Sequence, residues 1–194
     1  MSGNKIEEAN RALDEGSYSK AFELYQSMED DHNSDILRVL AWMYLWGAGT
    51  SENPTKALEL FLKASEVDPD PDDLELLFGQ AKCYFALNKF DIAIRMYVNL
   101  IEEKDYPPAN YNLGMMYEKG VVVEKDIDMA LFHYGACAKH KHMYGAKQQG
   151  RLLLRGERGF LYRFLGFYLL AKNLMNAVDI MVRGDGFYDA RLLK

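Results

Sequence analysis

The sequence predicts an all-helical protein built from about five antiparallel helix pairs, with a capping or associating helix at its C-terminal end. Three observations carry that expectation. One alanine recurs at a near-constant spacing, an aromatic follows it at a fixed distance, and long alternating Val/Ile/Thr runs that would signal a large sheet are missing. The alanines are Ala21, Ala57, Ala93 and Ala130, separated by 36, 36 and 37 residues. Four positions on stand Tyr25, Phe61, Tyr97 and Tyr134. Residues four apart share one helical face, so each small residue and its aromatic offer a joint surface to a neighbouring helix. Two positions before each alanine come Ser19, Thr55, Asp91 and Asp128. Their side-chain oxygens are expected to accept the free amides of a helix's first turn.

A second register lies upstream and supplies the other helix of each pair. Its small residues are Ala9, Ala41, Ala81, Gly114 and Gly150, and Tyr44, Tyr84 and Tyr117 follow three later in the middle units. From the first four of these to the alanine of the same unit the distances are 12, 16, 12 and 16 residues. Each unit therefore reads as a helical hairpin, with short and long loops in alternation. Hairpins are expected near 4–30, 34–66, 72–103 and 107–139, with a fifth opening helix near 142–155. In the first, Gly16 fills the short loop; in the second, Gly47-Ala-Gly fills a longer one. In the third, Asn88-Lys89 makes the turn, and in the fourth the stretch from Gly120 to Asp126 does so. Glycine at a helix end tolerates the left-handed conformation of a C-terminal cap. The acidic run Asp68 to Asp73 is a polar break between units, and Pro107 and Pro108 open the fourth unit, where a first-turn proline costs nothing. Small residues on facing surfaces let backbones approach closely, and each pair leaves an apolar face for the next to cover. Such units stack for that reason.

The short-loop units resemble tetratricopeptide (TPR) repeats: Gly79-Gln-Ala81-Lys-Cys-Tyr84 through Ala93 and Tyr97 follows that pattern, and Gly16 to Tyr25 resembles its second half. The long-loop units are similar to Sel-one-like repeats. Ala41-Trp-Met-Tyr44-Leu-Trp-Gly47 with Asn53-Pro-Thr-Lys-Ala57 is one, and Leu113-Gly114-Met-Met-Tyr117-Glu-Lys-Gly120 with Asp126 and Ala130-Leu-Phe-His-Tyr134 is the clearest. The resemblance covers residues 4–156 and implies a right-handed superhelical solenoid, the α-α superhelix. It is specific for the fold and says little of function, because such solenoids serve very many partners.

Residues 1–156 are thus expected to form the repeats and 157–194 an apolar C-terminal capping segment. Counting on by 36 places Gly166 where Ala130 fell and Leu170 where Tyr134 fell, which suits a fifth closing helix. Phe160 to Ala171 is almost wholly apolar, Arg163 being its one charge, and beyond it Lys172, Asn176 and Asp179 gather opposite Leu174, Ala177 and Met181. Arg163, Lys172 and Asp179 interrupt the run of about 20 apolar residues that a membrane span needs. Three roles remain open for this segment: a cap folded over the last repeat, a homodimer interface, or a helix lying on a membrane surface. A terminal repeat needs a polar outer face, and this one lacks it.

Composition narrows the function. The 29 acidic against 23 basic residues leave a net charge of −6, which argues against non-specific nucleic-acid binding. Cys83 and Cys137, the two cysteines, are expected to be small buried hydrophobes in a reducing compartment. The polar start Met-Ser-Gly-Asn-Lys-Ile has no apolar signal core, so the cytoplasm is the expected location. No phosphate loop, dinucleotide fingerprint, zincin motif or nucleophile elbow occurs, so neither a catalytic residue nor a cofactor is expected. His133 and His140 lie seven apart on one helical face with His142 nearby, but no cysteine or carboxylate completes a tetrahedral set, and no metal is expected.

In TPR-like superhelices the first helices of successive hairpins line a concave groove. The resemblance carries that role to the positions three before and one after each small residue of the upstream register. These are Arg38, Phe78, Tyr111 and Lys147, and Trp42, Lys82, Met115 and Arg151. Such a lining suits an extended or helical peptide bearing acidic and apolar residues, since arginine and aromatics dominate interface energetics. The expected function is a non-catalytic scaffold or adaptor that holds a protein partner there. Two readings stand beside it: a peripheral membrane component docked through the C-terminal helix, and an accessory or regulatory subunit of an enzyme complex.

Overall fold

A computed structural model of the chain describes residues 2–30, 32–140, 143–156 and 159–183, with side chains from Asn4 to Met175 except that of Met143. Ten helices occupy them: α1 (Ser2–Asp14), α2 (Tyr18–Gln26), α3 (Ser34–Trp46), α4 (Pro54–Val67), α5 (Leu74–Ala86), α6 (Phe90–Lys104), α7 (Pro107–Lys119), α8 (Ile127–Lys139), α9 (Met143–Leu154) and α10 (Phe160–Arg183). No strand occurs among the described residues. The arrangement is the α-α solenoid of antiparallel helix pairs, and the hairpins fall where the two registers placed them.

The helices gather into two compact units, Met1–Met96 and Tyr97–Lys194, whose border falls inside α6. In the first unit α1 packs on α2, α2 on α3, α3 on α4 and α4 on α5, while α3 and α5 also touch. The α5–α6 turn is drawn tight by the Phe85 and Phe90 rings, edge to face at 5.2 Å. In the second unit α7 packs on α8, α8 on α9 and α9 on α10.

The repeat register is the core. Ala21, Ala57, Ala93 and Ala130 are fully buried, as are Ala9, Ala41 and Ala81, and the aromatics Tyr25, Phe61, Tyr97 and Tyr134 are sealed beside them. Burying one such ring contributes about 2–3 kcal/mol. Glycines set how closely the pairs approach. A Cβ on Gly79 would stand 2.4–2.8 Å from the Phe61 ring, and one on Gly114 would stand 2.8 Å from that of Tyr134. At the last pair glycine meets glycine: a Cβ on Gly166 would lie 2.7 Å from the Gly150 carbonyl oxygen. Gly166 is thus the contact point of a fifth closing helix, 36 residues after Ala130. Cys83 and Cys137 are buried, free thiols pushed up to about 12 by loss of hydration, which leaves them unreactive near neutral pH.

The capping expectation needs a correction of two residues. Ser19, Thr55, Asp91 and Asp128 sit inside the first turns; the N-cap positions of α2, α4 and α8 are Ser17, Asn53 and Asp126. Asn53 Oδ1 accepts the Lys56 amide at 3.0 Å, and Asp126 Oδ1 accepts those of Asp128 and Met129 at 2.9 and 3.0 Å. Each loop offers two acceptors in tandem. Pro54, lacking an N–H, fits the first helical position and so selects Asn53 over Thr55. Gly47 and Gly120 end α3 and α7 in the left-handed conformation, as their positions implied.

Candidate partner-binding site

The first unit brings Arg38 and Trp42 of α3 together with Phe78 and Lys82 of α5. Arg38 and Trp42 lie one helical turn apart, as do Phe78 and Lys82, so each helix presents its pair on one face. Asn33 caps α3 by accepting the Asp35 and Ile36 amides, and Asp73 caps α5 by accepting that of Leu76. Arg38 is committed to this scaffold. Its Nη1 lies 2.8 Å from Asp73 Oδ2, and its Nε donates to Ser34 Oγ. One guanidinium thus ties the body of α3 to the capping residue of α5.

Trp42 is buried, and its indole N–H donates to Glu75 Oε1 at 3.3 Å. Its ring meets Phe61 edge-on at 5.2 Å and tilts against Phe78, itself buried. Three of the four residues therefore spend most of their surface joining α3, α4 and α5. Lys82 differs. Its ammonium lies 4.1 Å from the centroid of Trp46 and 5.7 Å from that of Phe78, with no carboxylate in ion-pair range among the described residues. Burial pulls its pKa down to about 8, because water is displaced and no anion replaces it.

Trp46 itself escaped the sequence reading. It stacks on Trp42 with rings 6.0 Å apart and 6° from parallel, and its buried Nε1 has no acceptor among the described residues. The one signal available was spacing: two tryptophans four residues apart, the only two in the chain, share a helical face.

The second unit holds the other four predicted residues. Tyr111 and Met115 of α7 are half-buried, and Tyr111 leans on Tyr134 at 5.8 Å. Lys147 and Arg151 of α9 are exposed, and Arg151 donates to Gln148 Oε1 at 3.1 Å. Tyr134 donates to Glu118 Oε2 at 2.7 Å, and Arg155 pairs with Glu118 Oε1 at 2.6 Å, so one carboxylate joins α7, α8 and the turn that follows α9.

Two of the histidines singled out above have side-chain partners. His133 is buried beside Tyr117, its Nδ1 2.9 Å from Asn110 Oδ1, and burial lowers its pKa. His140 Nε2 lies 2.8 Å from Asp105. His142 lies outside the described residues, as do the side chains of Asn176, Ala177, Asp179 and Met181.

The Sel1 repeat family model matches residues 14–30, 37–68 and 107–141, which contain the register alanines Ala21, Ala57 and Ala130. These stretches are Sel1-like repeats, and the chain has the fold of TPR/Sel1-like repeat proteins. A Sel1 repeat protein from Oxalobacter formigenes is 20% identical with a TM-score of 0.54, over 84% of this chain and 69% of that one. The antigen c5321 of uropathogenic Escherichia coli, which displays an SLR fold, is 21% identical with a TM-score of 0.57. It matches all of this chain, which spans 43% of its length. MamA protein is 18% identical over 93% of both chains, with a TM-score of 0.55. Likeness at this identity establishes the fold. No curated protein matches the chain. Sel1-like and TPR-like repeats are generally protein-interaction scaffolds and typically not enzymes.

Proposed function

We propose that this chain is a protein-binding adaptor whose α3–α5 face receives an acidic, partly apolar peptide, with Lys82 as the residue that reads the acid. One observation carries the reading: the Lys82 ammonium is half-buried on the faces of Trp46 and Phe78, with no carboxylate beside it among the described residues. A cation held there loses hydration and regains part of it from the ring quadrupoles. An incoming carboxylate would supply the rest. The unsatisfied Trp46 N–H lies in the same cluster, and a small ring rotation would give it the same acceptor. Arg38, Trp42 and Phe78 hold the platform rigid, which lowers the cost of ordering on binding. In the second unit Lys147, Arg151, Tyr111 and Met115 are proposed as a looser surface for the same kind of partner. The repeats of 1–156 carry recognition in this reading, and the cytoplasm is its compartment, reducing surroundings that suit two unpaired thiols.

The test uses the two tryptophans as reporters, since both lie in the α3–α5 cluster. A panel of acidic and neutralised amphipathic peptides is titrated while tryptophan emission is followed. An acidic peptide should bind and shift the emission, and Lys82→Met should weaken it by about 10- to 100-fold, the cost of removing one charge-assisted contact. Lys63→Met, far along α4, should leave affinity unchanged. Binding that ignores Lys82→Met sinks the proposal.

A further inference from the structure

Most of the exposed large apolar side chains among the described residues stand on α10. Phe160, Leu161, Phe164, Phe167, Tyr168 and Met175 are 58–79% exposed. At the α-helical angle per residue they fall within an arc of about 120°. Gly166, the buried residue of this helix, points the opposite way, onto Gly150 of α9. The stripe therefore lies on the side that α9 leaves open.

Charge tells what belongs there. Arg163 and Lys172 are exposed and stand just beyond the two edges of the arc, and no acidic residue occurs from 159 to 178. The asymmetry extends along the chain: residues 1–138 hold 12 basic and 25 acidic groups, whereas 139–183 hold 9 basic and 2 acidic. The segment that carries the apolar stripe is thus net basic in an acidic protein.

We infer that α10 docks the protein on an anionic lipid bilayer, lying in the interface with its aromatic stripe inserted and Arg163 and Lys172 reaching the headgroups. A wide apolar arc bordered by basic residues on an interfacial helix is the chemistry such surfaces bind, and long basic side chains keep their charge in water while their stems lie on apolar surface. The helix lies on the membrane: among the described residues no helix is long and apolar enough to cross one. A second copy of α10 fits less well, because Arg163 and Lys172, which border the stripe among the described side chains, are both basic and like would meet like. A partner helix would want a groove between two walls, whereas this stripe lies on the outward side of a single helix.

Co-flotation of the full chain with vesicles tests this, using phosphatidylcholine alone and phosphatidylcholine mixed with phosphatidylserine. The mixed vesicles should carry the protein upward, the neutral ones should not, and added salt should weaken retention. Arg163→Glu with Lys172→Glu should lower the apparent affinity at least about tenfold, since each basic residue near an anionic surface contributes several-fold. Phe164→Glu with Phe167→Glu should abolish flotation. All four positions are exposed, so circular dichroism and the thermal melt should stay as in the parent, and a variant that fails this check is replaced by Phe164→Ser with Phe167→Ser. No flotation with either vesicle, or equal flotation with both, overturns the inference. A concentration-dependent dimer that the Phe variants dissolve, in a protein that no vesicle retains, overturns it in favour of a second copy. Peptide binding by the α3–α5 face does not bear on either outcome.

Discussion

Lys82 shows how one residue can set stability against recognition. At neutral pH its ammonium is held where water is scarce and no carboxylate answers it. Its folded pKa of about 8 lies below the unfolded value of 10.5, so between those values the unfolded chain binds more protons. Stability attributable to this group must rise with pH across that window, and the penalty is full below about 8. Lys82→Met keeps the volume and discards the charge. It should therefore stabilise the protein by about 1–2 kcal/mol at neutral pH, less than the shift alone implies because the two rings already offset part of the cost. The gain should shrink toward nothing as pH approaches 10.5. Urea denaturation of both proteins at several pH values up to about 9 isolates the effect, since the groups remote from Lys82 titrate identically in each and the coupled Cys83 thiol stays protonated in the fold over that range. A variant less stable at neutral pH, or a difference that ignores pH, would show the ammonium to be well satisfied. A residue that destabilises its own fold and lies in a candidate site is of the kind that function retains.

At the scale of the element, the helices show what the sequence made legible and where local ambiguity entered. Small residues and aromatics at fixed spacing located nine hairpin helices because burial there depends on side-chain volume, which the sequence states directly. Helix starts were harder. Asp126 and Asp128 are equally able acceptors two residues apart, and only backbone direction decides between them, whereas at Asn53 and Thr55 the intervening Pro54 marks the first helical position. Asn53→Ala and Asp126→Ala should each cost about 1 kcal/mol, whereas Thr55→Ala and Asp128→Ala should fall within about 0.5 kcal/mol of the parent. Thermal melts of the four variants separate the assignments, and equal losses at Asp126 and Asp128 would mean that the cap is shared. The candidate site was legible only in part, for a related reason. Positions around the register singled out Arg38, Trp42, Phe78 and Lys82, but the sequence could not say that Asp73 and Ser34 already engage Arg38 or that Glu75 engages Trp42. Such partners lie on other turns and other helices, outside the reach of a repeat spacing. Lys82 differs from Arg38 in what surrounds it, and surroundings belong to the fold.

The molecule as a whole consists of two compact units, each with its own sealed register residues, and repeat proteins hold together by contacts between neighbours. Leu60 is fully buried in the first unit. Leu152 is sealed in the second, among Ala130, Leu131, Tyr134 and Leu153. Truncating either to alanine removes apolar surface and leaves a cavity, so each variant should lose about 2–5 kcal/mol where the neighbours cannot collapse inward. Nearest-neighbour stabilisation predicts where the loss appears. Native-state hydrogen exchange should show Leu60→Ala releasing amides of α3, α4 and α5 first, with α8 and α9 keeping most of their protection. Leu152→Ala should reverse that order, and α10, which rests on α9, should open with it. Equal loss of protection throughout the chain after either substitution would mean that the two units unfold as one cooperative body. Unequal loss would give the chain a practical asymmetry, in which the peptide-binding face proposed for α3 and α5 keeps its shape while the α9–α10 pair opens and closes.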